Sequence, residues 1–275
     1  MDKVFLRPTA DIRSELLTNA SSYRDLLAFS CFLVFCTAMP SHSTAQEEWQ
    51  FKVSPYLWTP GLAGDISPTA MAPTASVDMD IADVLSKLNL GVMGMAEARK
   101  GRWSVLGNVF YANISEKEDV SLGPGIVTPS RSIKVGARTF FAGLGVGYDI
   151  YADERARITT AAGLRYWDVE NELRVTGGIA TIDTTESETW VDPLIGIGGV
   201  YDLGDGFSLE GYADVGGFGI GSDLTWSVLG LVGYRINEAT TATLGWRHLA
   251  VDYDDDGFLF DVGMSGPIAG ITFNF

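Results

Sequence analysis

The stretch G266PIAGITFNF275 carries apolar residues at alternate positions up to the last one. Ala269, Ile271, Phe273 and Phe275 fall on one face of a strand, and Gly270, Thr272 and Asn274 on the other. Period-two alternation is the signature of a half-buried strand. Chain ends usually fray unless neighbours hold them. An apolar face kept to Phe275 therefore predicts a strand paired on both edges, with something apolar outside it.

The opposite end supplies a context. Residues 26–39, LLAFSCFLVFCTAM, form an apolar run too short for a comfortable membrane span. Ser43 and Ala45 follow at the spacing of a signal-peptidase site, so residues 1–45 read as a cleaved secretory signal. A membrane anchor is the competing reading. Cys31 and Cys36 lie inside this segment, and Phe29 and Phe35 spoil any lipobox. The mature chain, residues 46–275, then has no cysteine, and with it no disulfide, thiolate nucleophile or thiolate metal site. The formal charge of −16 and the lack of a basic run argue against a nucleic-acid partner.

Beyond the signal the chain alternates with period two, broken by turn residues. Ile81–Leu88, IADVLSKL, is the best helical candidate. No run of eighteen apolar residues occurs there, so helical spans are not expected. An exported, acidic, all-strand chain is either a β-sandwich or an outer-membrane barrel. Tight polar turns recur at Lys100–Arg102, Asp153–Arg155, Gly204–Gly206 and Asn237–Thr240, with generally longer connections between them. Short turns at one end and longer loops at the other are the outer-membrane pattern. The expected fold is an all-β, transmembrane, antiparallel up-and-down barrel of ten strands: 49–66, 89–100, 102–115, 131–150, 156–176, 181–203, 206–220, 223–236, 240–253 and 257–275. Eight or twelve strands would require one hairpin to be read differently.

Facing follows from parity. Leu224, Trp226, Val228, Val232 and Tyr234 fall on one face, toward lipid, while Gly143, Gly145 and Gly147 fall on a face suited to a narrow interior. Trp49, Trp103, Trp226, Trp246, Tyr148, Tyr234 and Phe275 are expected as interfacial girdle residues. The last strand should close on W49QFKVSPYLW58. Its apolar face switches between Met264 and Ala269, which predicts a bulge at Gly266–Pro267.

Gly270, Phe273 and Phe275 resemble the C-terminal signal that the barrel-assembly machinery reads in outer-membrane proteins, although Ile268 stands where a polar residue is expected. SPYLW (54–58), EARKGRW (97–103), LRYWDVE (164–170), WVDPLIG (190–196), DVGGFGIGSDLTW (214–226) and GWRHLAVDYDDDGFLFDVGMSGP (245–267) resemble an uncharacterised, porin-like family of bacterial outer-membrane β-barrel proteins. The resemblance implies fold and location, in contact with outer-membrane lipid and lipopolysaccharide. It implies no activity and no cofactor.

Parity points Lys52, Glu97, Arg165, Asp192, Glu210, Asp214, Arg235 and Arg247 into the lumen. Two readings compete there. One is a self-satisfied ion-pair network that fills a small barrel, leaving an envelope-structural or interaction role. The other is a narrow passive pore, cation-preferring because the outer loops are acidic. Asp252, Asp254 and Asp256 before Gly257 reproduce the first half of a calcium loop, but Gly263 stands where the bidentate Glu belongs. An acidic turn is the plainer reading. Lys134 and Arg138 are outward cations that would meet lipopolysaccharide phosphates, or solvent. The mature chain's one histidine, His248, shares a face with Leu244 and Trp246, and nothing ties Ser208 or Ser227 to it. No acid–base pair can be drawn, so no enzymatic role is expected.

Overall fold

The computed structural model describes residues 48–67, 74–120, 131–176 and 182–275. The expected signal and both cysteines lie outside them, as do residues 68–73, 121–130 and 177–181. Twelve strands are present among the described residues. β1 (Gln50–Trp58), β2 (Gly61–Ser67) and β3 (Ala75–Met79) precede the short helix α1 (Ile81–Lys87). β4 (Leu88–Lys100), β5 (Trp103–Val120), β6 (Arg131–Ala152), β7 (Ala156–Thr176) and β8 (Ile182–Gly204) follow. β9 (Phe207–Gly217), β10 (Leu224–Asn237), β11 (Thr240–Asp255) and β12 (Phe258–Asn274) complete the chain.

Ten of these strands form a closed antiparallel ring, β1 and then β4 through β12, with β12 returning to β1. Closure removes the edges that an open sheet would expose. At the seam Phe51 and Phe275 exchange both backbone hydrogen bonds, at 3.2 and 2.9 Å, so the terminus is held as expected. β1 and β2 are one strand in register: Trp58 pairs with Ile268 and Gly61 with Ser265. Between them Thr59 N–H donates to the Pro267 carbonyl at 3.2 Å, and Pro267 has no N–H to return. β3 was not foreseen. It pairs with β2 above the point where β1 leaves β4, at Pro55 opposite Gly94, and the foreseen helix α1 follows it directly.

The expected bulge at Gly266–Pro267 is absent. β11 and β12 pair in unbroken register from Thr240–Phe273 to Asp255–Phe258. Phe258, Phe260, Val262, Met264 and Ile268 all face inward and are buried, whereas Ile271, Phe273 and Phe275 are exposed outward. The apolar set changes sides because the environment does. The long-loop half of the interior is an apolar core, and the short-turn half of the exterior is a lipid-facing band. Ile268, odd as a signal residue, belongs to that core.

Outside, Leu144, Leu164, Ile195, Val228, Leu244 and Ile271 are among many large apolar side chains left between 44 and 66% exposed. An apolar surface of this extent on a closed barrel fits lipid rather than water. Trp49, Trp103, Tyr201, Phe207, Tyr234 and Phe275 ring the short-turn end, with Trp103 against Tyr148 and Phe207 against Tyr234 at 4.9 Å. Trp246 is not a girdle residue. It sits mid-strand, paired with Gly230 and Pro267, and donates to Ser265 Oγ at 2.9 Å. Asp205–Gly206 and Asp256–Gly257 both adopt positive φ at each residue, as two-residue type I′ hairpins require. β6, β7 and β8 run 22, 21 and 23 residues, about twice what a bilayer core demands, whereas β9 has 11.

Candidate functional site: a half-filled lumen

Strand alternation delivers one inward side chain at every second position, and the lumen divides into two storeys. The storey nearer the long loops is aromatic. Trp58, Phe110, Phe141, Trp167, Trp190 and Tyr253 follow one another around the interior, with successive centroids 3.9 to 5.7 Å apart. Phe141, Trp167, Val169 and Leu249 are 0% exposed, and Trp58, Val251 and Val262 are 1% exposed. Interior density of this kind is that of a protein core.

One buried carboxylate braces it. Asp192, 0% exposed, accepts from Trp167 Nε1 at 2.8 Å, from the Ser222 N–H at 2.7 Å and from Ser222 Oγ at 2.9 Å. Three donors satisfy the charge without a cation. They also tie the β9–β10 connection to the aromatic storey, where Trp190 Nε1 donates to Ser222 Oγ at 2.9 Å.

Beneath the rings lie two arginines. Arg165 donates to both carboxylate oxygens of Asp214 at 3.0 Å, and Ser227 Oγ donates to the same group at 2.7 Å. Arg247 lies 4.8 Å below the Trp58 ring and 5.5 Å from Phe141, and it donates to Tyr56 OH at 3.0 Å. Asn108 reaches the same hydroxyl at 3.3 Å, and its Oδ1 is buried without a partner. Arg247 has no ion pair among the described residues, although it is only 4% exposed.

Below the arginines a cavity of about 490 Å³ extends toward the short-turn end. Gly143, Gly145, Gly163, Gly196 and Gly198 line one wall. A Cβ on Gly143 would meet nothing nearer than 3.8 Å, so that glycine faces open room rather than a tight interior. Gly147, Gly163 and Gly196 are tight by the same measure, 2.5 Å from Ser104 Oγ, 2.4 Å from the Leu144 carbonyl oxygen and 2.6 Å from the Tyr212 hydroxyl. The lining holds six basic side chains, Lys52, Arg99, Arg157, Arg165, Arg235 and Arg247, against the four carboxylates of Glu97, Asp202, Glu210 and Asp214. The lining is thus more basic than the chain as a whole, whose net charge is −16.

Of the eight residues expected in the lumen, seven line the cavity and Asp192 is buried outside its lining, and they do not form one network. Lys52 reaches Glu97 at 3.7 Å near the mouth. Arg235 reaches Asp202 at 3.5 Å, where both side chains are about half exposed and the pair is weak. Arg165 pairs with Asp214, while Asp192, Arg247 and Glu210 have no ion pair among the described residues. Sequence reasoning missed Arg99 and Asp149. Arg99 bridges Glu97 and Asp149, and Asp149 also accepts from Thr159 Oγ1 at 2.6 Å. Their parity carried the signal: Arg99 lies two residues from Glu97, and Asp149 two from Gly147.

The three aspartates of the loop at 251–258 form no ligand set among the described residues. Asp252 and Asp254 are exposed on the outer face, and Asp256 sits in the tight turn at φ 46°. No cluster of three His, Cys, Asp or Glu side chains among the described residues has metal-holding geometry. Arg138 is not a free outward cation either. It binds Asp168 at 3.2 Å and Glu170 at 2.9 Å, while the Lys134 side chain lies outside the described set. His248 packs on Trp226 at 4.6 Å on the outer wall, on the opposite face from the Ser227 hydroxyl, which donates to Asp214.

No protein-family model and no curated protein matches the chain. Solved structures similar to it include the translocator domain of autotransporter NalP from Neisseria meningitidis, with TM-score 0.48 and 12% identity over 96% of this chain and 98% of that one. Ail, the attachment invasion locus protein of Yersinia pestis, has TM-score 0.33 and 9% identity over 83% and 99%. Neisserial surface protein A has TM-score 0.29 and 11% identity over 82% and 97%. The barrel itself rests on this chain's own closed ladder of backbone hydrogen bonds.

Proposed function

We infer that the protein is an integral outer-membrane barrel whose lumen is closed by its own side chains, with an envelope-structural or interaction role rather than a transport one. The observation that carries this reading is the aromatic storey. Phe141, Trp167 and Leu249 are untouched by a water-sized sphere, and they reach inward from three different strands. A water-filled path would have to displace stacked rings and uncover Asp192. The lipid-facing band and aromatic girdle support placement in a bilayer, with the strands as spans. Among the described residues no helix is long and apolar enough to cross. The accessible features at the long-loop end are the tall strands β6–β8 and exposed carboxylates such as Asp223, Asp252 and Asp261.

The alternative is a narrow passive pore. Planar-bilayer conductance of refolded residues 46–275, after a heat-modifiable gel shift has established folding, separates the two. A silent bilayer is the expected result. Discrete conductance steps would refute the closed lumen.

A further inference from the structure

We propose that the cavity beneath the aromatic storey is a binding site for a small organic monocarboxylate with an apolar body, entered from the short-turn end. The inference does not depend on a closed lumen, because it concerns only the lower storey.

Four features converge on it. Arg247 is a permanently charged group, 96% removed from solvent, and a charge so placed requires a counter-charge or full hydrogen bonding. Among the described residues its hydrogen-bond partner is the neutral Tyr56 hydroxyl. The neighbouring guanidinium of Arg165 is already neutralised by bidentate contact with Asp214. One uncompensated planar fork therefore faces the cavity, which matches one carboxylate in charge and in geometry. Stacking beneath Trp58 and Phe141 fixes the plane of that fork before any ligand arrives.

The remaining walls set the class of body. Leu229, Leu231, Ile268 and Met95 share the cavity with the glycine wall, so an apolar group finds contact without stranding its own polar atoms. A volume of about 490 Å³ lies within the usual range of small-molecule sites. The lining's excess of basic over acidic side chains draws anions to the mouth, and a low-dielectric wall focuses that field. A dianion such as phosphate fits less well, because only one of the two roof charges is free.

The test uses residues 46–275 refolded in lipid nanodiscs. Benzoate is the probe, its neutral isostere benzamide the control and inorganic phosphate the competitor. Trp58, directly above Arg247, supplies a fluorescence readout. Benzoate should perturb the emission saturably, and benzamide should not. Arg247→Gln should weaken benzoate binding about tenfold or more, the loss of a charge-assisted contact. Gly143→Leu fills the cavity without altering any charge and should also abolish binding, so the proposal stays testable if Arg247→Gln does not fold. A heat-modifiable gel shift establishes folding of each variant. Absence of a saturable benzoate response in folded wild type would overturn the proposal. Equal binding of benzamide, unchanged binding in a folded variant, or displacement by phosphate at concentrations below those of benzoate would do the same.

Discussion

Replacement of Trp167 separates the two ways in which the aromatic storey is held. Its ring is 0% exposed and contacts Phe141 at 4.9 Å and Trp190 at 5.7 Å, while its Nε1 donates to Asp192 at 2.8 Å. Trp167→Phe keeps most of the packing and removes the donor. The lost hydrogen bond to a charged group should cost about 1.5–3 kcal/mol. Trp167→Ala removes both and opens a cavity, for which large-to-small aromatic changes cost about 3–5 kcal/mol from packing. The assay is urea unfolding in phospholipid vesicles, followed by fluorescence of the remaining tryptophans and by gel mobility. With a slope of about 2 kcal/mol per molar, the midpoint should fall by about 0.7–1.5 M for Trp167→Phe. It should fall by about 1.5–2.5 M or more for Trp167→Ala. Midpoints for both variants within about 0.3 M of wild type would refute the view that the interior is a packed core braced by Asp192.

Arg165→Ala and Arg247→Ala should differ, although both remove a buried lumen cation. The first strands Asp214 and should cost about 3–5 kcal/mol, while the second strands no carboxylate and should cost clearly less in the same unfolding assay. Gly245→Ala should prevent barrel formation in a heat-modifiable gel shift, because its Cβ would lie 1.9 Å from the Gly230 carbonyl oxygen. In the turn after β6, the Tyr151 hydroxyl, followed by the Arg155 and Ala156 N–H groups, holds the Asp153 carboxyl below its ordinary value. That contribution to stability is fully present above the unfolded value of about 3.9 and is lost as pH falls through the lower folded value, which an NMR titration of the carboxyl carbon would locate.

The ten barrel strands and the short-turn end were legible because alternation has a fixed period and tight turns have fixed chemistry. What alternation does not supply is which side is dry. Phe258, Phe260, Val262 and Met264 read as a lipid face, but in the long-loop half the apolar environment is the interior, and the supposed bulge at Pro267 followed from that inversion. Arg99 and Asp149 were passed over because both stand beside turns, where charges usually meet solvent. β3 is a five-residue strand with no alternation strong enough to separate it from a loop. The division of the lumen into a packed half and an open half depends on which inward positions are glycine on β6–β8 and which are aromatic one storey higher. That is a relation between strands, and no single segment displays it.

The unequal strand lengths have a mechanical consequence. β6–β8 continue some ten residues past the level at which β9 stops, which at about 3.3 Å per residue is about 23–27 Å of extra wall after allowing for tilt. The rim is therefore a palisade on one flank and a low sill on the other. A bulky neighbour lying in the plane of the membrane meets a paired, stiff parapet from the first side. From the second it can lean directly over the Ser222 turn that clips the aromatic lid in place. Force applied at the rim is thus transmitted to the lid from one compass direction only.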